Sequence, residues 1–312
     1  LPNGCCTVPR NGNPKREKII PMTTILKQLY HRMIAAMGVP GLEIPTTAVK
    51  FYRVGEAIPE PVLDNCPARI TLTSCQAARQ ASLGDAVLIT ADNIGCIAAA
   101  ISLGLVDGQQ NTPLHGSRVY TDLMQRQSGL AGDFLPPTPQ DFSEGRVYAC
   151  REAGRFDFCL FGREDSGRYR DAATAKLAIA DMLAIQPPTI QGVFFYSPDF
   201  EELDLTPDVV VCNVRPVELA RIIQAYQYNT GQRVVASIGS LRAVNSDLIV
   251  RPYLTQTINV SAYCLGSRLI AQYEADRLGI GLPFSLFEVM VQGMEDSKTG
   301  YPFHLYPGAA EL

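Results

Sequence analysis

Two stretches in the second half of the chain, Val193-Phe194-Phe195-Tyr196 and Val209-Val210-Val211-Cys212, are apolar at consecutive positions. Successive side chains of a strand face opposite ways, so such runs must be covered on both sides. Helices on the two faces of a sheet provide that cover. Helical patterns flank these runs. Ile25, Leu29, Met33 and Met37 recur every fourth residue and end at Gly38, the pattern of an amphipathic helix with a glycine stop. Pro216, Glu218 and Gly231 mark the start and stop of another helix.

Further strands are expected at Thr47–Arg53, Ala86–Thr90, Arg155–Phe161, Val234–Ile238 and Ile258–Ser261. Further helices are expected at Cys75–Ala81, Ile94–Leu103 with Asp92 or Asn93 as cap, 113–127, Asp171–Ile185 and Gly266–Leu278. Short apolar strands between helices indicate an α/β fold. Its expected form is a mixed, partly parallel sheet with flanking helices. It forms one body or two closely packed lobes, with the proline-rich loop 128–145 as the internal boundary.

The first 21 residues differ from the rest. They hold Pro2, Pro9, Pro14, Pro21 and the cluster Lys15-Arg16-Glu17-Lys18, without helical periodicity. Residues 1–21 read as a loose N-terminal tail, and 22–312 as the folded α/β domain.

The chain has 27 basic and 31 acidic residues, 46% hydrophobic residues and no apolar run approaching the ~20 residues of a membrane span. These figures argue against disorder, against general nucleic-acid binding and against a spanning membrane protein. Nine scattered cysteines without a C-x-x-C pair point to cytoplasmic thiols rather than to a disulfide scaffold. Nucleotide-binding, zinc-protease and serine-hydrolase motifs are missing, and there are only three histidines, His31, His115 and His304.

Cys75, Cys96 and Cys264 each fall near an expected helix start, and Arg79 and Arg268 follow the first and last of them by four residues. A helix N-terminus and a nearby arginine favour thiolate, the form needed for a soft metal, an iron–sulfur cluster or a nucleophile. Three such thiols form a cluster site only if the fold brings their sulfurs within ~7 Å of each other. Packing of single cysteines as small hydrophobes competes with this reading, and is favoured for Cys159 and Cys212 within strands. Cys66 and Cys150, in loops, are candidates for a fourth ligand. The loop 162–170, with Arg163, Arg168 and Arg170, is a candidate anion-binding segment.

Ala48-Val49-Lys50-Phe51, Cys75-Gln76-Ala77-Ala78-Arg79, Cys96 with Gly104-Leu105, Pro207-Asp208-Val209-Val210-Val211, Ala225-Tyr226 with Gly231, and Cys264-x-Gly266-x-Arg268 follow one another in an order and spacing that resembles the DUF169 family of uncharacterised prokaryotic proteins. The resemblance carries no reaction. It implies that Cys75, Cys96 and the Cys264-Gly266-Arg268 group stand at characteristic positions. It also implies a further cysteine in many relatives where this chain reads Gly239-Ser240-Leu241-Arg242-Ala243. The expected function is binding of an iron–sulfur cluster or soft metal by Cys75, Cys96 and Cys264, with Arg79, Gly266 and Arg268 around it. The alternatives are a small anionic-ligand binding protein without metal and a thiol-based enzyme. The expected partner is therefore a metal or small molecule, and the oligomeric state stays open.

Overall fold

A computed structural model describes residues 24–66, 72–128, 136–149 and 168–297. The expected tail 1–21, the strand at Arg155–Phe161, most of the loop 162–170 and the residues Cys5, Cys6, Cys150, Cys159 and His304 lie outside the described residues.

The elements in chain order are α1 (Ile25–Met37), β1 (Thr46–Arg53), α2 (Glu60–Leu63), α3 (Ser74–Ala81), β2 (Ala86–Ile89), α4 (Ile97–Ser102), α5 (His115–Ser128), α6 (Pro139–Ser143), α7 (Ala172–Ala180), β3 (Ile190–Tyr196), β4 (Val209–Val214), α8 (Pro216–Thr230), a π-helix (Ala243–Val250) running into α9 (Arg251–Thr255), β5 (Asn259–Ser261), α10 (Leu265–Ile270), β6 (Leu278–Pro283) and α11 (Phe284–Asp296). Among the described residues no helix is long and apolar enough to cross a membrane.

Local chemistry sets many of these boundaries. The Thr24 hydroxyl accepts from Lys27 N at the start of α1, and Gly38 ends it in the left-handed conformation. Thr73 and Gln76 form a reciprocal capping box on α3. Glu218 accepts from Arg215 N at 2.7 Å to open α8, with Pro216 in its first turn. Asp171 caps α7 by accepting from Thr174 N at 2.7 Å, and hydrogen bonds with the Thr174 side chain and backbone hold its carboxyl down at about 2. The expected caps of α4 are corrected. Asn93 instead accepts from Thr90 N within the preceding turn, and Cys96 is the cap residue.

The six strands form one sheet in the order β2-β3-β1-β4-β6-β5. The expectation of a partly parallel sheet is overturned, because every pairing between these strands is antiparallel. An apolar run reports that both faces are covered, and either strand direction satisfies that. Alternation along each strand separates two cores. Val49, Phe51, Val193, Phe195, Val209 and Val211 meet the alanines of α3, α4 and the π-helix. Ala48, Tyr52, Phe194, Tyr196, Val210 and Cys212 meet α1, α8 and α11.

Several segments depart from the sequence expectation. The helix expected at Asp171–Ile185 ends at Ala180. Residues 231–239 form no strand, and the buried Asn259 side chain tethers them, accepting from Ser237 N at 2.9 Å and donating to Ser237 O at 3.0 Å. The helix expected at Gly266–Leu278 stops at Ile270. Residues 278–283 then form β6, whose Gly279 and Gly281 face the π-helix while Ile280 and Leu282 face the opposite core. A Cβ at Gly281 would sit on the Leu248 carbonyl oxygen. These glycines lower the strand signal and permit close backbone approach. The π-helix is itself buried along its whole length.

Candidate functional site

Three helix starts meet on the sheet face carrying α3, α4 and the π-helix. Cys75 is in the first turn of α3, behind its cap Thr73, while Cys96 and Cys264 are the cap residues of α4 and α10. All three cysteines line one cavity of about 100 Å³. Ser267, fully buried in α10, joins two of them. Its hydroxyl is 3.5 Å from Cys75 Sγ and 3.2 Å from Cys264 Sγ, so those sulfurs lie within about 7 Å of each other. Cys96 is near enough to Cys75 for its charge to oppose the ionisation of that thiol.

The expected thiolate character does not follow from the helix starts. Burial pushes the Cys75 and Cys96 thiols up, and it outweighs the backbone N–H groups of Ala98 and Ala99 and the nearby Arg242 that act the other way on Cys96. Two of the three helices, α4 and α10, are only six residues long, which limits their dipoles. Among the described residues, no three His, Cys, Asp or Glu side chains stand in an arrangement that could hold a metal ion as placed. In an antiparallel sheet the strand-to-helix loops do not all gather at one edge, so the sheet alone does not bring the three cysteines together. The convergence arises instead because α10 packs on α3 while α4 packs on the π-helix.

Gly266 lines the cavity, but Arg79 and Arg268 are not among its lining residues. Arg79 pairs with the Glu274 carboxylate, and Arg268 donates to the main-chain oxygens of Glu274, Ala262 (2.8 Å) and Arg277 (3.1 Å). Each guanidinium also lies over a tyrosine ring, Arg79 over Tyr273 at 5.8 Å and Arg268 over Tyr263 at 5.5 Å. The two rings stack at 4.3 Å. The arginines thus tie the starts of α3 and α10 together through Glu274 and a tyrosine pair.

Of the cavity's other polar walls, only Arg168 stood among the candidate residues of the sequence. They include Tyr148, Asn245, Ser267 and Arg242, together with Arg168 from the end of the candidate anion loop. Ser267 sits between two residues that were singled out. Arg242 lies in the stretch where the family resemblance implies a cysteine, and that stretch does reach the cavity through Leu241 and Arg242.

The remaining candidates lie elsewhere. Cys66 lines a separate cleft with Asp64 and Asp85 and accepts from Asn93 Nδ2 at 3.4 Å. Cys212 is buried in β4, where the Thr46 hydroxyl donates to it at 3.6 Å. His31 is an exposed residue 3.9 Å from Asp199.

A six-stranded antiparallel sheet, covered by helices on both faces, defines an α/β protein with a small cavity lined by three cysteines on one face. The chain belongs to the DUF169 family, described as uncharacterised ArCR, whose model matches residues 41–293. No curated protein and no solved structure matches it.

Proposed function

We propose that this protein binds a soft metal ion or an iron–sulfur cluster through Cys75, Cys96 and Cys264. The observation that carries the reading is that three cysteines far apart in the chain line one small cavity. Rotation about each Cα–Cβ bond moves a sulfur by up to about 3 Å between staggered positions, enough to turn neighbouring thiols toward a common centre. Ligation releases the thiol protons and leaves a position of the metal open to a small molecule. Gly266 keeps the backbone beside Cys264 free of a side chain, and Arg79 and Arg268 act as positioning residues for α3 and α10. The free thiols suit a reducing compartment such as the cytoplasm. The excess of acidic residues makes a metal or small molecule a better partner than nucleic acid.

The test is anaerobic purification or reconstitution with iron and sulfide. Near-stoichiometric iron with broad absorbance at about 400 nm, from thiolate-to-iron charge transfer, is the expected result. The double variant C75S/C264S should lose both while keeping its far-UV circular dichroism. Wild-type protein that stays colourless, and takes up neither iron nor zinc, would overturn the proposal.

A further inference from the structure

Arg242 brings a positive charge to the same cavity. It leaves the 231–239 segment in a left-handed backbone conformation, φ 52, and caps the π-helix. Such a conformation is uncommon for a residue other than glycine. The residue is 7% exposed, and its charge acts on Cys96 and Tyr148. Its guanidinium has a side-chain hydrogen-bonding interaction with Tyr148 but is otherwise poorly satisfied among the described residues. Among the described residues the Nε–H has no hydrogen-bond partner, and Nη2 reaches the Phe142 carbonyl only at 3.5 Å. Among the described residues no carboxylate forms an ion pair with it, whereas Arg79 pairs with Glu274 and Arg146 with both Asp141 and Glu144. A buried guanidinium without a counter-ion is among the least favourable arrangements in a protein interior.

We infer that the cavity takes a small organic carboxylate, whose carboxyl group pairs with Arg242 and whose apolar body lies against Ile97, Phe142, Leu241 and Ile270. The planar guanidinium fork matches a carboxylate's two oxygens. The four apolar side chains line the same cavity, and they disfavour a strongly hydrated ion such as phosphate. Arg168, the other guanidinium in the lining, donates to the Ser240 carbonyl at 2.6 Å. A cavity of ~150 Å³ accepts benzene, so one of about 100 Å³ suits roughly two to four carbons. The inference rests on the cavity being a ligand site, as proposed above, but not on metal being bound there.

The experiment titrates butyrate into the chelator-treated full-length chain by calorimetry, with inorganic phosphate as the comparison. Saturable butyrate binding is expected, weakened at least about tenfold in R242M. Circular dichroism shows whether R242M folds. If it does not, R242K decides, since it keeps the charge but loses the fork and should also bind about tenfold more weakly. Absence of saturable butyrate binding, tighter binding of phosphate, or unchanged affinity in the decisive Arg242 variant would overturn the inference. Because the protein is metal-free, failure here leaves the iron measurement standing, and failure of the iron measurement leaves this one readable.

Discussion

Cys75 and Ser267, 192 residues apart in the chain, bring a thiol and a hydroxyl within 3.5 Å of each other. The same hydroxyl reaches Cys264, so Ser267 fills the space between two of the three sulfurs. Ser267→Ala removes a weak polar contact and adds no volume. It should cost about 1 kcal/mol of stability and leave metal stoichiometry unchanged. Denaturant titration and metal analysis of the purified variant check both. Loss of metal in this variant would make the hydroxyl itself a ligand.

Arg79→Met should separate positioning from binding. The Arg79–Glu274 pair is partly exposed, with Glu274 at 37%, so its loss should cost no more than about 1 kcal/mol. Metal content should persist. Glu274→Gln in the Arg79→Met background should add little, and a double-mutant cycle by thermal melts measures the coupling.

Gly281→Ala tests the contact that sets the cavity's far wall. Its methyl group would collide with the Leu248 main chain, forcing the π-helix away from β6. Overpacking of this kind costs about 1–3 kcal/mol. Since Arg242 and Asn245 belong to the shifted segment and line the cavity, butyrate binding should weaken together with stability. Chemical denaturation and calorimetry should report the two losses in one variant.

Asp247 predicts a pH dependence of stability. It is 4% exposed, its Oδ2 has no partner among the described residues, and burial pushes its carboxyl up to about 7 despite the opposing Gly239 N–H and Arg251. The folded state therefore holds the proton more tightly than the unfolded chain. Its contribution is complete below the unfolded value of about 4 and is lost as pH rises to about 7. Asp247→Asn should remove that loss. The variant should gain relative to wild type between pH 4 and 7, by on the order of 4 kcal/mol at pH 8, and the gap should then stay constant. Denaturant melts of both proteins at a series of pH values check the sign.

Features set by neighbouring residues were legible in the sequence. The four-residue apolar repeat of α1, the Pro216-to-Gly231 span of α8 and the cores of β1, β3 and β4 depend on local periodicity and capping. So did the placement of Cys75, Cys96 and Cys264 at helix starts. β6 was hidden because Gly279 and Gly281 dilute its apolar pattern, and their reason for being glycine lies in a π-helix that precedes them in the chain. Strand direction was hidden because burial on both faces reads the same for either orientation.

The sequence by itself determined which segments are apolar on both sides, where several helices begin and end, and that three thiols stand at such beginnings. Only the tertiary structure decided that the sheet is antiparallel, that Ser267 bridges Cys75 and Cys264, and that Arg242 is buried beside them. Periodicity and capping act over a few residues. Convergence and burial depend on which distant segments pack together, and an arginine buried in a cavity looks, in one dimension, like any arginine in solvent.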